Sequence, residues 1–156
     1  MLTTSRTVVA GVLAVLAAGG ALLLSTERGA TREQASSLLS TGQTVLGQPI
    51  AYPTRAPAKV TSVIIAMQPG EATGWHQHDV PMFCYILEGE VTVDYGAKGT
   101  RVYRQGEAVM EAIDVAHNGR NTGTGEARIL AVFMGADGAP NTVMLAQPPS
   151  PPTPPQ

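Results

Sequence analysis

The sequence of 156 residues carries ten Lys and Arg against twelve Asp and Glu, a formal charge of −2 with neither sign clustered. It has no basic stripe and no aromatic-interleaved patch, which excludes a nucleic-acid binder, and the apolar alternation between its ends excludes a disordered chain. With the two ends set aside, roughly 100–110 residues remain, enough for one domain and too few for separate cofactor and substrate lobes.

Residues 7–24 (TVVAGVLAVLAAGGALLL) hold no charge and contain 14 of the hydrophobic residues, so the overall 44% overstates the apolarity of the rest. Arg6 precedes this run as a short positive region. The run approaches the ~20 apolar residues that cross a bilayer as a helix. Two readings of residues 1–24 stay open. One is a signal peptide cut after Gly20, with the small Ala18 two positions before it. The other is an uncleaved N-terminal membrane anchor, an apolar helix ending in Leu22, Leu23 and Leu24. Both predict an exported domain, periplasmic or otherwise extracytoplasmic, that meets the inner membrane only through this segment. A buried helix of a soluble domain is the third and least favoured reading. Cys84 is the single cysteine and cannot form an internal disulfide, which an exported domain of this size tolerates if its core is large enough.

Residues 25–42 read as a polar spacer, and the domain proper is expected over residues 43–146. Pro49, Pro53 and Pro57 open it with an extended or turned stretch, because proline biases its predecessor away from helix. Lys59–Met67 (KVTSVIIAM) is rich in β-branched residues and predicts a strand, ended by a turn at Gln68-Pro69-Gly70. Further strands are expected at Met82–Glu88, Glu90–Tyr95, Gly99–Arg104, Glu107–Ala112 and Ala127–Met134. Short strands, glycine-rich turns and the lack of a helical period predict an all-β antiparallel barrel or sandwich. Residues 147–156 form a Pro-rich tail, read as solvated polyproline with a spacer or a ligand for a proline-binding module as the alternatives. No repeat of solenoid length is present.

The chain has three histidines, His76, His78 and His117. The first two stand one residue apart in Gly74-Trp75-His76-Gln77-His78. On a strand, positions i and i+2 project from one face, so both imidazoles can aim at one centre. That is what a metal site needs from a β-scaffold. His117 is expected to come from a distant strand pair as a curved wall closes the site.

From Gly70 the chain reads GEATGWHQHDVPMFCYILEGEV, and from Gly106 it reads GEAVMEAIDVAHNGRN. These segments resemble the two motifs of the cupin superfamily. Gly70, His76, His78 and Gly89 fall on their places in the first motif, where Met82 occupies the glutamate position. Gly106, His117 and Asn121 fall on theirs in the second, where Ala112 and Asp114 replace a proline and a glycine. The resemblance covers about residues 43–140. It implies a double-stranded β-helix, the cupin jelly-roll barrel, with a metal at His76, His78 and His117. It also implies a homodimer and, from some relatives with three histidines, iron dioxygenase chemistry.

Met82 removes the hard oxygen ligand, and a thioether is a poor ligand for Fe(II), Mn(II) or Ni(II), so Met82 reads as a residue lining the barrel. Three neutral imidazoles with open positions suit a divalent transition metal. Fe(II) is placed first, with Zn, Ni, Mn and Cu left open. Glu111 is the candidate catalytic residue, as ligand, orienter of a ligand or general base. An outward-facing carboxylate is its equal alternative. Cys84 shares the expected inward face with Met82, Phe83 and Tyr85 face the other way, and Trp75 flanks the first ligand as a candidate for the pocket mouth. Asn121 is expected to tie down the turn after His117. The function expected is that of an exported, metal-dependent dioxygenase acting on a small molecule. The alternative is a non-catalytic module that binds or senses a metal or small ligand at the cell envelope.

Overall fold

Alternation shapes the central strands. β3 (Met82–Glu88) buries Met82, Cys84 and Ile86 and leaves Phe83, Tyr85 and Leu87 half-buried. β4 (Glu90–Asp94) buries Val91 and Val93, and β8 (Ala127–Ala136) buries Ala127, Ile129, Ala131 and Phe133. This period of two is that of a pleated ribbon with one face inward. The computed structural model describes residues 35–54 and 56–147. The apolar run 7–24 with its expected helix, the start of the 25–42 spacer and the 147–156 tail beyond Gln147 lie outside the described residues.

The remaining strands are β1 (Ala58–Met67), β2 (His76–Gln77), β5 (Thr100–Arg104), β6 (Ala108–Met110), β7 (Asn118–Asn121) and β9 (Val143–Met144). They form antiparallel sheets ordered β1-β8-β3-β6, β5-β4-β7 and β2-β9. Register pairs Cys84 with Ala131 and Met82 with Phe133 in the first sheet, and Val91 with Asn121 in the second. Met82, Ile86, Ile129 and Phe133 from the first and Val91 and Val93 from the second belong to one apolar core. The fold is all-β, in agreement with a jelly roll.

Strand limits differ from expectation where turns intervene. Tyr95 leaves its strand because a 3-10 turn at Gly96–Lys98 follows at once, closed by the Lys98 N–H donating to Tyr95 O at 3.2 Å. The strand expected over Glu107–Ala112 is confined to Ala108–Met110. β7 was not expected. Its sequence NGRN is turn-like, and its conformation follows from pairing with β4. Two positions explain motif residues. Gly89 adopts φ 75°, and a Cβ there would stand 2.7 Å from Glu126 O, so no side chain fits. Asp114 holds φ 54° at the position where the motif has glycine. Aspartate is among the few other residues that visit this left-handed region.

The segment before β1 is fastened to the chain that carries the second motif. The Val45 N–H donates to Met110 O at 2.8 Å. Gln48 Nε2 donates to Ile113 O at 2.6 Å, while Gln48 Oε1 accepts from Ile113 N–H at 3.1 Å.

Candidate metal centre

β2 pairs on one side with β9 and on the other with the residues leading into β7. The His76 N–H donates to His117 O at 3.0 Å, and the His117 N–H returns the bond to His76 O at 2.8 Å. His117, 41 residues further along the chain, therefore stands beside His76 on the adjoining segment. His78, two residues on, shares the face of His76. The Asp114 N–H donates to His78 O at 2.9 Å, which ties the two motif loops together.

Each ring is oriented by one carbonyl. The Nδ1 atoms lie 2.8 Å from Gly74 O for His76, 2.9 Å from Asn141 O for His78 and 2.8 Å from Val115 O for His117. A carbonyl can only accept, so each Nδ1 carries the proton and each Nε2 keeps a free lone pair. The ring centroids are 4.4–5.0 Å apart. One potential ligand atom from each residue lies within 4.8 Å of the others.

All three side chains are buried, and His78 Nε2 has no hydrogen-bond partner. An unsatisfied buried nitrogen is costly in a native protein and calls for a partner. Burial pushes His78 down to about 4, against the opposing pull of the Asn141 carbonyl and with smaller contributions from His117 and His76. It lowers His76 as well. Neutral imidazole is the ligating form. An orphaned Nε2, three matched tautomers and a shared centre fit a divalent metal ion, and His76, His78 and His117 are the residues that would hold it.

The histidines open onto a cavity of about 190 Å³ whose apolar wall includes Met82, Cys84, Ile86, Val93, Ile129 and Phe133. Met82 and Cys84 thus stand where strand alternation put them. Burial pushes the Cys84 thiol well up, with Glu111 adding to the effect, so it remains a thiol.

Glu111 is 5% exposed and lines this cavity, which overturns the outward-facing alternative. Its carboxylate is not part of the three-histidine group. Its Oε1 accepts instead from Tyr95 OH at 2.8 Å and from Ala112 N–H at 2.7 Å. Trp75, a candidate for the pocket mouth, is half-buried and absent from the cavity wall. Asn121 is 1% exposed and donates from Nδ2 to Met67 O and Gly125 O, both at 2.8 Å, so it ties down the turn.

Sequence reasoning missed the support of Glu111. Tyr95 OH lies 3.2 Å from Tyr103 OH, and burial followed by the charge of Glu111 raises the Tyr95 phenol strongly. Burial also pushes Tyr103 up to about 12. Tyr95 continues the alternation Val91, Val93, Tyr95, which was signal enough to place it inside. Asn141, Thr142 and Met144 had no such signal, because β9 is two residues long and its role runs partly through a backbone carbonyl.

Residues 63–133 match the family model described as the cupin domain. No curated protein matches the chain. Among solved structures, a formate complex of oxalate decarboxylase from Lactobacillus farciminis is similar, with 22% identity and a TM-score of 0.48 over 55% of this chain and 26% of that one. Oxalate decarboxylase from Bacillus subtilis is similar at 20% identity and a TM-score of 0.47 over 55% of this chain and 24% of its own. The chain thus spans about a quarter of the length of either.

Proposed function

We infer that this chain, a member of the cupin superfamily through residues 63–133, is an oxidoreductase of the dioxygenase kind that acts on a small molecule at a metal held by three histidines. The observation that carries the reading is the convergence of three buried imidazoles, each pinned through Nδ1 to a carbonyl, with His78 Nε2 left unpartnered. Fe(II) suits a set of neutral nitrogen ligands with open positions, and when bound it supplies the redox chemistry that dioxygen requires before it reacts with an organic molecule.

The chain's own residues do the rest. His76, His78 and His117 fix the ion, and the carbonyls of Gly74, Asn141 and Val115 hold their rings in place. The apolar wall keeps bulk water from a bound substrate and strengthens polar contacts inside. A volume of about 190 Å³ limits that substrate to a small molecule.

Oxygen uptake by the Fe(II)-loaded protein against thiols, β-diketones and phenolics tests the reaction. Uptake with one class, lost in His117→Ala, is the expected result. Silence with every class while iron stays bound would favour the second reading, a non-catalytic metal- or ligand-binding module. That reading draws its support from Met82 in the place of the usual glutamate.

Export belongs to the same proposal and rests on the uncharged run 7–24 behind Arg6. So does a homodimer. Among the described residues, β1 pairs with β8 on one side only, and it exposes Val60 and Ile64 at 67% and 54%. An apolar edge strand of this kind is a natural pairing surface.

A further inference from the structure

We propose that Glu111 selects what enters the cavity: a neutral or cationic small molecule, apolar over most of its surface, that donates one O–H or N–H to this carboxylate. The inference deepens the site reading above, since it concerns the cavity shared with the three histidines. It does not require the metal.

Among the described residues, Glu111 is the one carboxylate in the cavity wall, and no Lys or Arg accompanies it there. A buried carboxylate without a cationic partner must be satisfied by donors. Two are present, Tyr95 OH at 2.8 Å and Ala112 N–H at 2.7 Å, and both fall on Oε1. The Tyr95 phenol is positioned in turn by Tyr103 OH at 3.2 Å. Glu111 Oε2 takes no hydrogen bond from the described residues, so the carboxylate presents a free acceptor at a site otherwise walled mainly by aliphatic and aromatic groups.

Apart from the Nε2 atoms of His76, His78 and His117, which are free acceptors in the metal-free protein and carry no charge to set a cation apart from an anion, the other polar groups of the wall are largely engaged. Thr73 Oγ1 accepts from the Gly119 N–H at 3.0 Å and donates to Gly74 O at 3.0 Å, and Thr142 Oγ1 lies 3.3 Å from His78 Nδ1. A ligand with an O–H or N–H gains the Oε2 contact. One that lacks a donor leaves it unpaired, and a site built to receive a hydrogen bond discriminates strongly against such an analogue. An anionic ligand also meets like charge with no counter-ion from a side chain in the wall.

Calorimetric titration of the full chain, metal-free and Zn-loaded, with benzylamine, benzyl alcohol, toluene and benzoate tests this. In the metal-free protein we expect benzylamine and benzyl alcohol to bind at least tenfold more tightly than toluene or benzoate. Glu111→Gln, checked for folding by its thermal melt, should lose the advantage of benzylamine over benzoate. Benzoate binding as tightly as benzylamine, or a Glu111→Gln variant with the same ratio between them, would overturn the proposal. Failure to load zinc would count against the metal reading alone, because the metal-free ratios stand by themselves.

Discussion

Three Nδ1 atoms bonded to three carbonyls leave three Nε2 lone pairs aimed inward, and the rest of the site follows from that choice of tautomer. Burial also makes the site sensitive to acid. His78 sits at about 4 in the native protein against an ordinary 6.5. Between these values the unfolded chain binds a proton that the native chain refuses. Stability contributed by neutral His78 is therefore complete above about 6.5 and is lost as pH falls towards 4. The metal-free protein should melt at a lower temperature at about pH 5 than at about pH 7.5. Equal melting temperatures would contradict this placement of His78. Much at this scale was legible in the sequence: the His-x-His pair, the shared face of Met82 and Cys84, and Asn121 at its turn. Trp75 was not legible, because it lies in a bend just before β2, where strand alternation does not apply. Whether Glu111 faced inward was not legible, because it lies just past the end of β6, where strand periodicity no longer binds.

The elements show a division between what pattern dictates and what pairing imposes. β1, β3, β4 and β8 carry their apolar alternation or β-branched runs openly and stand close to their expected limits. β2, β7 and β9 hold two to four residues each and exist because neighbours supply their hydrogen bonds. No local signal marks strands so short. The contact of Gln48 with Ile113 was equally hidden, since its partners are 65 positions apart. It anchors the loop between Glu111 and His117. Gln48→Ala leaves both polar groups of Ile113 without this partner, and we expect a loss of about 1–3 kcal/mol in denaturant unfolding. Metal stoichiometry should hold, because no ligand is removed. A change within ~0.5 kcal/mol, the range of ordinary surface substitutions, would show that the contact does not matter.

At the scale of the molecule, one small all-β domain brings the chain's three histidines together in the wall of an apolar cavity. The proposed homodimer predicts that Ile64→Lys, on the free edge of β1, shifts sedimentation from two chains to one while the thermal melt stays close to wild type. A wild-type chain that sediments as a monomer would remove the dimer and leave the site intact. What the site is built for is one divalent metal ion, held by His76, His78 and His117 together. Elemental analysis of the protein after anaerobic loading with Fe(II) and removal of excess tests it most directly, with His117→Ala in parallel. We expect one ion per chain in the wild type and, with a ligand lost, affinity reduced by more than the ~10–100-fold that removing an outer partner costs. Wild-type protein without stoichiometric metal, or a variant that holds as much, would contradict it.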